Sequence, residues 1–179
     1  MNLAEQYIKD VVSGKQLVGK LTKLAVERHL KDLERADKMG WEFDPEAGEF
    51  VINFIMCMRH TKGSFAKKRF CLQGWQAFIL YVIFGWKIKA TGKRRFKKAY
   101  VEVSRKNGKS ELAAAIGNYM LCGDGEYGAE VYAAATKRDQ AKKVFDPAVS
   151  MMKQARAESA SLKSQTTVLK LFHAPFRRL

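Results

Sequence analysis

Between residues 99 and 152 the apolar side chains change their spacing three times, and this alternation restricts the fold more than any other feature. Ala99 to Val103 reads as a short strand. A polar turn follows, and then Leu112, Ile116, Tyr119 and Met120 recur at helical spacing. Gly123-Asp124-Gly125 ends that helix. Ala129 to Ala135 reads as a second strand, and Ala141, Val144, Phe145, Ala148, Val149 and Met152 mark a second helix, in which Pro147 should introduce a kink or a break. Strand, helix, strand, helix implies an α/β unit with a parallel sheet flanked by helices. Thr166 to Phe172 reads as one further strand.

Upstream the pattern is different. Leu17, Leu21 and Leu24, then Val26, Leu30 and Leu33, recur at helical spacing among lysines and glutamates, and Gly40 is placed to end that helix. Asp44-Pro45 is a helix start, with Asp44 as N-cap and Pro45 in the first helical position. The helix it opens carries Phe50, Phe54, Ile55 and Met58 on one face, and Thr61-Lys62-Gly63-Ser64 reads as a loop. Residues 73–84 form a candidate buried helix through Trp75, Phe78, Ile79, Val82 and Ile83. Its apolar run, Ala77 to Phe84, is too short to span a bilayer, so no membrane partner is expected. The organisation expected is a mainly helical segment over 1–64 and an α/β domain over 65–179.

Cys57, Cys71 and Cys122 are odd in number and form no Cys-x-x-Cys pair, and His29, His60 and His173 do not join them at metal-ligand spacing. Buried free thiols in a reducing compartment are expected, and no zinc site. Charge is the anomaly: 33 Lys and Arg against 18 Asp and Glu give +15. Such an excess suits an acidic partner, above all nucleic acid; a solvated basic surface is the alternative. From Lys87 to Lys109 ten residues are basic and one, Glu102, is acidic. That stretch can contact DNA phosphates without reading bases, or it can be a solvated loop.

The most informative stretch is Ser104-Arg105-Lys106-Asn107-Gly108-Lys109-Ser110, between the expected strand and the expected helix. That is the context of a phosphate-binding loop, in which backbone N–H groups and a helix N-terminus converge on phosphate oxygens. Gly108 lets the backbone approach closely, Lys109 reaches the β- and γ-phosphates of ATP, and the Ser110 hydroxyl serves Mg2+. The usual pattern has glycine five positions before Gly108, where Val103 stands. A basic turn whose Ser110 caps the helix, with Glu111 in the first turn, is the alternative.

This loop resembles the deviant Walker A loop of the large terminase subunits of tailed phages, the ATPases that pump DNA into procapsids; in that family the departures at Val103 and Ser104 are expected. Leu72-Gln73-Gly74-Trp75-Gln76-Ala77-Phe78-Ile79 is similar to the family's upstream adenine motif, and the Gln76 amide then pairs with the adenine edge. Ala134-Ala135-Thr136-Lys137-Arg138-Asp139-Gln140-Ala141 resembles the segment after the second strand, where Thr136 is either a nucleotide contact or an ordinary N-cap. The resemblance implies a P-loop NTPase-like parallel sheet preceded by the helical segment, with Ser104, Lys106, Asn107, Gly108, Lys109, Ser110, Gln76 and Thr136 at the nucleotide. Arg105 is the candidate for stabilising charge on the transferring phosphate; a solvated or DNA-facing arginine is the alternative. It also implies ATP and Mg2+ as cofactors and double-stranded DNA, a portal protein, a small terminase subunit and sister copies in a homo-oligomeric ring as partners, in the host cytoplasm and transiently at the procapsid.

The family's second motif, four apolar residues followed by Asp-Glu, does not occur: Asp146 follows Val144-Phe145, but Lys142-Lys143 and Pro147 spoil the context. The family's nuclease domain has no counterpart either. An incomplete domain is therefore expected, as a fragment, a decayed prophage product or half of a split gene, which binds ATP but turns it over poorly. Its two strands would lack their usual neighbours. Two other readings remain open here: another helicase-like P-loop ATPase, and a basic nucleic-acid-binding protein or inactive remnant with a vestigial loop.

Overall fold

The computed structural model describes residues 2–158, and these divide into two compact units interleaved in sequence. The first comprises the chain up to Asn53 and Cys71–Glu102; the second comprises Phe54–Phe70 and the chain from Val103 onward. The expected strand over Thr166–Phe172 lies outside the described residues.

In the first unit, α1 (Leu3–Val12) opens with a reciprocal cap: the Asn2 side chain accepts from the Glu5 N–H at 2.8 Å, and Glu5 reaches back to the Asn2 N–H. Its apolar face of Ala4, Ile8 and Val11 is buried. It lies along α4 (Gly74–Gly85), which is apolar nearly all round, as the sequence indicated for 73–84. Ile8, Val11, Val26, Phe78, Val82 and Trp86 form the core cluster. Burial of each such side chain contributes ~1.5–3 kcal/mol.

The helix α2 (Lys20–Arg35) corrects the sequence reading. Its buried face is Val26, His29 and Asp32, whereas Leu17, Leu21, Leu24 and Leu33 are exposed. The buried face is closed by polar partners. Trp86 Nε1 donates to His29 Nδ1 at 3.1 Å, and Asp32 is ion-paired with Arg35 at 2.6 Å and Arg95 at 2.7 Å. The Arg95 guanidinium lies 3.4 Å from the Trp41 ring centroid. Hydropathy spacing alone cannot see a helix face buried through ion pairing.

After α2 comes a 3-10 turn over Asp37–Met39, and Gly40 adopts the left-handed conformation that ends it. Strand β1 (Trp41–Phe43) pairs antiparallel with β2 (Trp86–Ile88), Glu42 opposite Lys87. Asp44 then caps α3 (Pro45–Met56) as the sequence indicated, its Oδ1 accepting from the Ala47 N–H at 3.0 Å. Phe50, expected to share one apolar face with Phe54, Ile55 and Met58, is exposed, and so are Cys57 and Cys71, expected buried; the buried positions beside them are taken by Met58, Phe70 and Leu72.

In the second unit, α5 (Lys109–Cys122) and α6 (Arg138–Glu158) pack along each other. Leu112, Ala114, Ala115 and Tyr119 supply the buried face of one, and Ala148 and Met151 that of the other. Pro147 is buried and does not divide α6. The buried Asn118 Nδ2 donates to the Ala148 carbonyl at 3.0 Å.

The expected parallel sheet is not formed among the described residues. Their one sheet is the β1–β2 pair, and residues 99–103 and 129–135 carry no strand. A strand needs a ladder partner for its N–H and C=O groups, and neither segment has one among the described residues. Without one, the apolar residues of these segments are uncovered, with Tyr100, Val101 and Tyr132 exposed.

Candidate functional site

The loop Ser104–Ser110 lies at the start of α5, in the second unit. Two of its residues are left-handed, Lys106 at φ 68° and Gly108 at φ 71°. Glycine adopts that conformation freely, whereas for lysine it costs ~1–2 kcal/mol, so surrounding structure must hold it. Part of that hold comes from Asn107, whose Nδ2 donates to Ser104 Oγ at 2.5 Å and so ties the two ends of the turn together. Left-handed residues in a tight turn swing successive N–H groups toward one side, which is how backbone makes an anion receptor.

Gly108 is also the N-cap of α5. The helical ladder begins at Leu112 N, which donates to the Gly108 carbonyl at 2.9 Å. A glycine cap supplies no side-chain acceptor, and none is present. The first-turn N–H groups thus face outward at the positive end of a 14-residue helix. Lys109 folds back over the loop, its Nζ donating to the Val103 carbonyl at 3.2 Å. Arg105 and Lys106 are exposed at the turn, and Ser110 is half-buried.

Glu111, the next residue, was legible only as a first-turn acid. Its Oε1 accepts from both the N–H and the hydroxyl of Thr61 at 2.9 Å, and its Oε2 lies 2.5 Å from His60 Nδ1. Burial pushes the Glu111 carboxyl up, but the His60 and Thr61 bonds outweigh burial and hold it below the usual carboxylate range. The partners are 50 and 51 positions away, beyond any local spacing rule.

The other two candidates are placed separately. Gln76 belongs to the first unit, in the first turn of α4; it is buried, and its Oε1 accepts from the Gln73 N–H at 2.9 Å. Thr136 is exposed and is not the N-cap of α6, which begins at Arg138; its hydroxyl donates to Gln140 Oε1 at 3.2 Å. The loop residues 104–110 are thus brought together by adjacency in sequence.

The basic stretch from Lys87 is partly neutralised within its own unit. Lys87 pairs with Asp44 at 2.6 Å, Lys89 with Asp37 at 2.5 Å, and Arg95 with Asp32. Lys93, Lys97 and Lys98 remain exposed. Among the described residues no group of His, Cys, Asp and Glu could hold a metal ion, and no helix is long and apolar enough to cross a membrane.

The family model of the terminase large subunit ATPase domain matches residues 74–171. The chain belongs to that family. The match covers more than half of its length and takes in Gln76, residues 104–110 and Thr136. Neither the curated proteins nor the solved structures offer a match. Membership gives the protein a terminase ATPase role in general, with DNA and the packaging machinery as the family's partners.

Proposed function

We propose that Ser104–Ser110 cradles the phosphates of ATP and that the protein serves in the motor that drives double-stranded DNA into phage procapsids. The observation that carries this reading is the loop's backbone: two left-handed residues, Lys106 and Gly108, leading directly into a helix N-terminus without a side-chain cap. Phosphate oxygens suit that receptor, because N–H groups and the helix dipole both favour negative charge there.

In this reading Lys109 exchanges its bond to the Val103 carbonyl for β- and γ-phosphate oxygens. Arg105 turns in from solvent to stabilise charge that builds on the transferring phosphoryl group. Asn107 and Ser104 keep the loop closed, and Lys106 adds positive charge at its rim. The Ser110 hydroxyl is the one protein ligand proposed for Mg2+, which when bound offsets phosphate charge. Gln76 as an adenine contact and Thr136 as a nucleotide contact are carried by the resemblance alone. In this reading residues 99–103 and 129–135, which carry no strand in the structure, would pair into a P-loop parallel sheet only beside further strands, in an ATPase domain over 65–179. The portal protein, the small terminase subunit and sister copies in a ring are the proposed partners, in the host cytoplasm.

Turnover is expected to be slow, since the sequence offers no Asp-Glu pair to position water and complete the magnesium site. The test is titration with a fluorescent ATP analogue and Mg2+, with Lys109→Ala alongside. Saturable binding weakened at least ~10-fold in the variant is the expected result, the loss of a charge-assisted contact. Equal binding by both proteins would sink the loop assignment. Rapid hydrolysis abolished by Lys109→Ala would sink the expectation of slow turnover.

A further inference from the structure

Residues 58–70 form a hairpin in the same unit as the phosphate loop. Arg59 and Arg69 make an antiparallel bridge, the Phe70 N–H donates to the Met58 carbonyl at 2.8 Å, and the His60 N–H donates to the Lys68 carbonyl at 2.9 Å. The Lys67 N–H returns a bond to the His60 carbonyl at 2.8 Å, with Lys67 left-handed at φ 67°. The His60 ring stacks on Phe70 with centroids 4.4 Å apart. The hairpin is therefore a built element, although its sequence signals only a loop.

Its outer surface is cationic. Lys62, Lys67, Lys68 and Arg69 are exposed, and none of the four has an ion-pair partner among the described residues. No carboxylate occurs in the sequence between Glu49 and Glu102, so none lies within the hairpin or its flanks. The stretch from Lys87 differs in having Lys87, Lys89 and Arg95 already paired with aspartates. Like charges gathered on a small rigid element repel one another, and a polyanion relieves that repulsion.

The hairpin is also fastened to the nucleotide loop's own helix. His60 and Thr61 make three contacts to Glu111, two residues after Lys109. The hairpin and the first turn of α5 thus share one hydrogen-bonded network.

We infer that the hairpin 58–70, through Lys62, Lys67, Lys68 and Arg69, takes the phosphate backbone of double-stranded DNA, and that the Glu111 clamp joins this contact to the phosphate loop. The inference rests on the proposed function for the nature of the partner, but it does not require the loop to bind ATP. Binding is sequence-tolerant, because the hairpin offers cations and no element that reads base edges.

The experiment is fluorescence anisotropy with a labelled duplex of mixed sequence over a salt series. It compares the unaltered chain, the triple variant Lys67→Ala, Lys68→Ala, Arg69→Ala, and the triple variant Lys93→Ala, Lys97→Ala, Lys98→Ala. Thermal melting of each confirms that these exposed changes leave the fold intact. The hairpin variant should lose at least ~10-fold in affinity, and its log–log salt slope should shrink by about 3, close to one per phosphate contact removed. The other variant should lose less. An unaltered slope in the hairpin variant, an unaltered chain that does not bind duplex, or a larger loss in the second variant each overturns the inference. Binding of the fluorescent ATP analogue to the same proteins separates the two ideas. Loss of duplex binding with no ATP binding anywhere supports the hairpin and overturns the nucleotide reading, and ATP binding beside an unaltered salt slope does the reverse.

Discussion

The buried polar cluster of the first unit and the phosphate loop of the second are both rich in charge, but only one of them is closed. Around α2, Asp32 meets Arg35 and Arg95, His29 meets the Trp86 indole, and Trp41 covers the Arg95 guanidinium. Every one of these groups answers another within the unit. At the loop, Arg105 and Lys106 lie exposed, a lysine is held left-handed, and a helix begins without a capping side chain. Charge paired inside a unit is already satisfied there, whereas charge and N–H groups presented outward stay open to solvent or a ligand. The contrast also separates the two basic regions: Lys87, Lys89 and Arg95 are committed to internal ion pairs, whereas among the described residues Lys62, Lys67, Lys68 and Arg69 of the 58–70 hairpin are not.

The largest effect should come from breaking the closed region. Asp32→Ala leaves Arg95, whose side chain is only 14% exposed, without its carboxylate. Loss of one partner of a buried pair costs ~3–5 kcal/mol, measurable by denaturant unfolding. A loss below ~1 kcal/mol would show that Trp41 alone satisfies Arg95.

The same region should respond to acid. Burial lowers His29 from 6.5 to about 4, so the folded state holds it neutral while the unfolded chain protonates it. The unfolded state binds more protons between those values, so stability falls as pH drops from 6.5 toward 4 and then levels for this group. The full span is about 3 kcal/mol. In His29→Gln that part of the pH profile should flatten; an unchanged profile would place the titration elsewhere.

These particulars explain what the sequence disclosed. Asp44-Pro45, α4, α5 and α6 were legible because capping and helical spacing act within a few residues. On the buried face of α2, Val26 was legible, but His29 and Asp32 were not, because they are buried through Trp86 and Arg95, far along the chain. The segments 99–103 and 129–135 have strand spacing, but a strand exists only with a neighbour, and spacing says nothing of neighbours. The segment 104–110 stands out in the sequence because its residues are consecutive, and the fold adds the left-handed Lys106 and Gly108. Glu111 looked like an ordinary first-turn acid, and only the fold brings His60 and Thr61 to it.

At the open region, Lys109→Ala should leave thermal stability nearly unchanged, since the bond it removes is exposed. It should weaken nucleotide binding by ~1.5–3 kcal/mol, the range for a contact to a charged group. A large drop in melting temperature instead would mark Lys109 as a brace for the loop, and would make the region more like the closed one.

The smallest effect tests where the two kinds of region meet. Glu111 is a closed network, with both carboxylate oxygens engaged, placed directly behind the open loop. Glu111→Gln keeps an acceptor for Thr61 and removes the charge, so it should cost about 1 kcal/mol at neutral pH. The folded carboxyl lies below its usual value, so its stabilisation is present above 4.5 and is lost as pH falls through the lower folded value. The gap between the two proteins should therefore close in acid. If it does, and nucleotide affinity falls with it at neutral pH, the clamp holds the loop through charge. A gap that persists unchanged in acid would make Glu111 a matter of shape, and the loop would then not depend on its charge.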